Sequence, residues 1–152
     1  CSFRVTLNGV TWDLVVLVVH MKALTDLDSW QRRINAADSL HAYLNRTYPT
    51  HQVIVVGDWN DDLDESISDR RQTPYAGFLI DLPRYAFPTI TLTVSRVPTV
   101  IGFPDPVDHH LVTNELMVRY VAGSAHAVRL DQIIAGYKDV VTDHLPVVTS
   151  YR

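Results

Sequence analysis

The stretch Val53-Ile54-Val55-Val56-Gly57-Asp58-Trp59-Asn60-Asp61 decides the fold. Four apolar, β-branched residues in a row suit a strand buried on both faces. Gly57 then lets the backbone turn sharply. Alternation along an extended chain points Asp58 and Asn60 one way and Trp59 the other. A carboxylate can orient a proton or bind a metal, and a carboxamide can donate to a phosphate oxygen without adding charge. Gly, Asp and Asn are also ordinary turn residues after a strand. The surroundings have to choose between these readings.

Upstream, Asp28 to Tyr48 reads as a helix, with Asp28 as cap and Gln31 as its capping-box partner. Trp30, Ile34, Ala37, Leu40 and Leu44 make its buried stripe, Arg32-Arg33 fall on its solvated side, and Pro49 ends it. Before it, Phe3, Val5 and Leu7 alternate with polar residues, Asn8-Gly9 is a tight-turn signal, and Trp12 to His20 is the second arm. Leu14 to Val19 are all apolar, so this arm is expected to be covered on both faces. The order is strand, helix, strand. If the two strands run parallel, His20 and Lys22 share one sheet edge with Asp58 and Asn60, where ligands of open α/β sheets sit.

Downstream, Asp61 to Arg71 reads as a charged surface loop, and Thr73-Pro74 starts a short helix that Pro83 stops. Thr89 to Val94 reads as a strand, and Arg96 to Pro106 as a proline-rich loop at a site rim or a plain connector. Asp108-His109-His110 opens a strand running to Val118, and a short strand covers Ala127 to Leu130. Adjacent strand side chains face opposite ways, so His109 and His110 cannot both serve one site. Thr142-Asp143-His144 leads into a last apolar strand.

The 152 residues suit one domain, with 47% hydrophobic residues for a core and 20% charged, too few for disorder. A net charge of -4 argues against gripping nucleic acid by bulk positive charge, though a local basic groove is compatible with it. The single cysteine, Cys1, forms no internal disulfide, which leaves the compartment open, secreted and periplasmic included. No apolar run reaches membrane-spanning length.

Four blocks in this order, His20-Met21-Lys22-Ala23, Gly57-Asp58-Trp59-Asn60-Asp61, Val107-Asp108-His109 and Thr142-Asp143-His144-Leu145-Pro146-Val147, resemble the endonuclease/exonuclease/phosphatase superfamily, which includes the deoxyribonuclease-I-like nucleases. The resemblance implies an α/β (α+β) fold, a four-layer αββα sandwich of which this chain supplies the C-terminal part. It implies a divalent-metal-dependent phosphoesterase, most simply a nuclease. His144 then resembles the general base, Asp108 its orienting carboxylate, and Asp143 a ligand to Mg²⁺ (or Mn²⁺ or Ca²⁺). Asp58 would position the nucleophile or metal, Asn60 would donate to the scissile phosphate, and His20 would contact that phosphate from the other side.

The family's preceding Asn and metal-binding Glu have no counterpart here. The N-terminal half of the domain is therefore expected as a separate chain or segment, with nucleic acid as substrate and no membrane span. Lipid or inositol phosphates are alternative substrates within the family. A noncatalytic scaffold derived from the fold is a reading of a different class. Asp108-His109-His110 also resembles a manganese phosphoesterase motif, but that family's upstream aspartate clusters are missing. Lys22, Arg32, Arg33, Arg70 and Arg71 are candidates to line a nucleic-acid groove, with solvated surface charge as the plain alternative.

Overall fold

The computed structural model describes all 152 residues. In chain order the elements are β1 (Ser2–Leu7), β2 (Val10–His20), α1 (Leu27–Thr47), β3 (Gln52–Asp58), α2 (Ala76–Ile80), β4 (Tyr85–Ala86), α3 (Ile90–Val94), β5 (Asp108–Thr113), α4 (Asn114–Met117), β6 (His126–Ala127), α5 (Tyr137–Val140) and β7 (Val147–Val148). Five strands form one mixed sheet in the order β1-β2-β3-β5-β4, and β6 pairs with β7 in a second, two-stranded sheet. The architecture is α/β, as expected.

The hairpin β1–β2 closes through Asn8 and Gly9, both at positive φ (51° and 78°), the conformation that a two-residue hairpin turn requires. β2 and β3 run parallel, with α1 between them, and β5 lies antiparallel beside β3. Gly57 sits inside β3 and makes no turn there. A Cβ at this position would lie 2.0 Å from the Val19 carbonyl oxygen, so only glycine lets the two strands approach. The turn comes later, at Asn60 with φ 53°.

Helix α1 starts earlier than its sequence suggests. Asp26, not Asp28, is the cap, because its carboxylate accepts from both the amide and the hydroxyl of Ser29. The buried stripe is accordingly rotated: Ser29, Arg33, Ala37 and Leu44 are buried, while Trp30, Ile34 and Leu40 are half-buried. This stripe covers one face of the sheet. Val15, Leu17 and Val19 of β2, Val53 and Val55 of β3 and Leu111 of β5 join Trp59, Tyr75, Phe78, Tyr85 and Phe87 in the main core there.

The opposite face is thinly covered. Ile54, Val112 and Leu116 form a small cluster with Leu14, Val16 and Val56 beside it. The C-terminal segment reaches over β5, where His110 Nδ1 lies 2.8 Å from Thr149 Oγ1. Farther along the sheet, Val18 is 77% exposed. The expectation that β2 is sheltered on both faces thus holds on one side only.

Other local expectations also change. The segment Thr89–Val94 is a helical turn, not a strand, with Leu92 and Thr93 buried. The strand from Asp108 stops at Thr113, and α4 follows. The late short strand is His126–Ala127. Asp61 to Arg71 is far from a plain surface loop: Asp61, Asp62, Leu63, Ser66 and Ser68 are all buried.

Candidate active site

Register brings the site together. The parallel pairing sets His20 opposite Asp58, and the antiparallel pairing sets Asp58 opposite Asp108. Three strand ends therefore place His20, Asp58 and Asp108 in one row, on the thinly covered face, at one edge of the sheet. His144 joins them from the C-terminal segment. That segment is fastened to the loop before β5: Ile101 N donates to Asp143 O at 2.8 Å and Leu145 N to Thr99 O at 2.7 Å. Tyr137 Oη adds a bond to the His144 carbonyl at 3.1 Å.

The His144 ring bridges the row. Its Nδ1 lies 2.9 Å from Asp108 Oδ2 and 3.1 Å from Oδ1, which fixes the proton on Nδ1 and leaves Nε2 free to accept. Nε2 points toward Asp58 Oδ2 at 3.9 Å, and His20 Nε2 approaches the same oxygen at 3.4 Å. Burial works to lower the His144 pKa, but the charge and hydrogen bond of Asp108, aided by Asp58 and Asp143, outweigh it and raise it above the ordinary histidine value. Burial lifts the Asp108 carboxyl above its usual range, against the pull of Thr99 and His144.

Asn60 and Asp58 face the same way, but not through strand alternation. Asn60 has left the strand, and its carboxamide turns back to donate to Asp58 Oδ2 at 2.8 Å and to Met21 O at 3.1 Å. Its amide donates to Asp58 Oδ1 at 2.8 Å. Trp59 points the other way, fully buried, with its indole N–H donating to His109 O at 2.8 Å. His109 is enclosed and burial pushes its pKa down to about 3, while His110 is pushed down to about 4. Both are neutral packing residues outside the row.

Asp143 is exposed beside His144, at the mouth of a hollow of about 370 Å³ that Asn60, Ile67, Ile101 and Phe103 also line. Its carboxylate has the oxygen chemistry of a hard-cation ligand. No three His, Cys, Asp or Glu side chains are grouped to hold a metal ion, however, so these residues do not by themselves make a metal centre.

Two supports carried no signal in the sequence. Thr99 is buried in the proline-rich loop, where its hydroxyl accepts from Val107 N at 3.0 Å and Asp108 N at 3.1 Å while its carbonyl holds Leu145. It thereby ties the Asp108 strand to the His144 segment. Arg33 is the larger correction: far from solvated, it is completely buried. It donates to Asp61 Oδ2 at 2.8 Å, Ser68 Oγ at 2.7 Å, and the carbonyls of Lys22 and Leu24 at 2.7 and 2.8 Å. One guanidinium thus clamps the exit of β2, helix α1 and the segment after Asp58. Donation from three nitrogens of one rigid, planar group to four acceptors is a reach particular to arginine.

The chain has the deoxyribonuclease-I-like fold. It superposes on an AP endonuclease from Archaeoglobus fulgidus with a TM-score of 0.62, 17% identity, and coverage of 97% of this chain and 63% of that one. A 3′-5′ exonuclease from Neisseria meningitidis gives 0.64, 15%, 97% and 63%. A mannosyl-6-phosphatase from Bacteroides thetaiotaomicron gives 0.50, 12%, 95% and 52%. The chain therefore spans at most about 63% of the length of these structures. No protein-family model and no curated protein matches the sequence. By name, these neighbours are an endonuclease, an exonuclease and a phosphatase.

Proposed function

We propose that this chain is the C-terminal part of a phosphodiesterase domain that hydrolyses nucleic acid by in-line attack of water. The observation that carries the reading is the His144–Asp108 pair, with Nε2 directed across the row toward Asp58. In this reading His144 Nε2 takes a proton from the attacking water. Asp108 holds the ring in the required tautomer and stabilises the imidazolium that forms. Asp58 orients the same water from the opposite side. Asn60 keeps Asp58 in place and can turn one N–H to a phosphate oxygen in exchange for that contact. His20, with its side chain 76% exposed, contacts the phosphate from the far end of the row.

A divalent cation, Mg²⁺ by preference and Mn²⁺ or Ca²⁺ otherwise, would neutralise developing phosphate charge when bound. Asp143 would contribute one ligand, and the others would come from outside this chain. The same holds for the sheet: the N-terminal half of the domain would pack on the thinly covered face. No helix of the chain is long and apolar enough to cross a membrane.

The test is the His144→Ala variant of the full-length protein on a phosphodiester substrate. Turnover should fall by about 10²–10⁴, the range for a general base. In the parent enzyme the rate should rise with pH and level off above the ordinary histidine range, because the raised His144 pKa must be passed before Nε2 is free. Near-normal turnover in His144→Ala would remove the base from the mechanism.

A further inference from the structure

Between the end of β2 and the first turns of α1 lies an open hollow of about 410 Å³, lined by His20, Met21, Lys22, Ala23, Arg32 and Ala36. We infer that this hollow is a subsite for a second phosphate group of the substrate, gripped by Lys22 and Arg32. The inference deepens the phosphodiesterase reading and rests on it.

Charge is the first argument. The chain carries a net charge of -4, yet no carboxylate lines this hollow. Lys22 and Arg32, like Arg46, Arg71, Arg84, Arg119, Lys138 and Arg152, have no carboxylate within ion-pair distance; what sets them apart is that they share one hollow. Asp26, at the start of α1, has both carboxylate oxygens occupied by Ser29. Two unpaired cations facing one space attract an anion with little to displace.

Construction is the second argument. Arg33 Nη1 holds the Lys22 carbonyl at 2.7 Å, so the backbone that carries Lys22 is pinned by a fully buried group. Arg32 and Ala36 are one turn apart on α1 and line the hollow together. Position is the third. His20 belongs both to this hollow and to the catalytic row, 3.4 Å from Asp58. A phosphate bound here is next along the substrate from the one at His144. The ligand chemistry fits either a flanking phosphodiester or a terminal phosphomonoester.

The test compares TpT, which has one phosphate, with TpTpT and pTpT, which add a second as diester or monoester. Both side chains reach the surface, so Lys22→Ala/Arg32→Ala should fold normally in the full-length protein. The double variant is expected to raise KM for pTpT, TpTpT or both by about tenfold or more, and to leave kcat and the KM for TpT unchanged. The salt dependence of log affinity for the responding ligand should lose about one unit of slope, and Lys22→Arg/Arg32→Lys should restore binding. The responding arm identifies the kind of phosphate. Equilibrium binding in excess chelator reads the subsite without turnover. An inactive protein that still prefers a second phosphate through these two side chains overturns the phosphodiesterase reading and supports the subsite. Equal binding of all three ligands, or a preference that survives in the double variant, overturns the subsite.

Discussion

The two faces of the five-stranded sheet are built from the same residue types and end up in opposite conditions. On the α1 side, Val53, Val55 and Leu111 are each 1% exposed and a ring of aromatic side chains closes the core. On the other side, Phe3 is 51% and Val18 77% exposed along equally apolar strands. Two of the three tryptophans differ in how well they are satisfied: the Trp59 N–H on the covered side bonds to His109 O, while the Trp12 indole N–H, buried on the other side under Arg119, has no hydrogen-bond partner. Sequence alternation gives both faces a core's composition, but only one has a layer to pack on. The row of His20, Asp58 and Asp108 lies on the thin side, so in the proposed reading whatever packs on that face would also close the site.

Damage to the covered side costs most at its charged clamp. Arg33→Ala leaves Asp61 buried without its cation and frees the carbonyls of Lys22 and Leu24. A loss of about 3–5 kcal/mol in denaturant unfolding is expected, as for removal of one partner of a buried pair.

The sequence placed the row but not this clamp, and the reason is physical. His20, Asp58 and Asp108 stand where apolar strands end, and strand ends are visible as a change of residue type. Arg33 sits in a polar-looking helical register, and nothing local distinguishes a buried guanidinium from a solvated one. Its partner Asp61 lies 28 residues away. Thr89 to Val94 misled for a similar reason: β-branched residues favour strand locally, but burial of Leu92 and Thr93 and the bond from Thr93 Oγ1 to Asp62 hold a helical turn. The open face was invisible too, because periodicity reports which side chains want cover and not whether it is present.

A matched pair of truncations sharpens the contrast. Leu111→Ala should cost about 2–5 kcal/mol, the range for a core leucine. Val18→Ser in the isolated chain, held dilute enough to stay monomeric, should change stability by no more than about 0.5 kcal/mol, as for an exposed site. Comparable losses at the two positions would mean that the thin face is packed after all.

A smaller effect comes from Asp62, beneath α3. Burial raises its carboxyl to about 6, despite bonds from Thr93 and Leu63, and its Oδ2 has no hydrogen bond, with Arg96 Nη1 3.8 Å away. With the folded pKa above the unfolded value, the folded state holds this proton while the unfolded state releases it. Stability from this group is therefore full below the ordinary aspartate range and falls as pH rises to about 6. Asp62→Asn should abolish that slope, gaining about 1–3 kcal/mol on the parent between acid and neutral pH. Parallel pH–stability curves for the two proteins would contradict it.

In the proposed reading, material outside these 152 residues covers the thin face and completes the site in one step. Expressing residues 1–152 alone, and measuring mass in solution alongside phosphodiesterase activity with Mg²⁺, tests it most directly. Self-association or aggregation through the open face, with no turnover, is the predicted result, since an apolar surface of this kind drives contact between copies. A cooperatively folded, active monomer would contradict it.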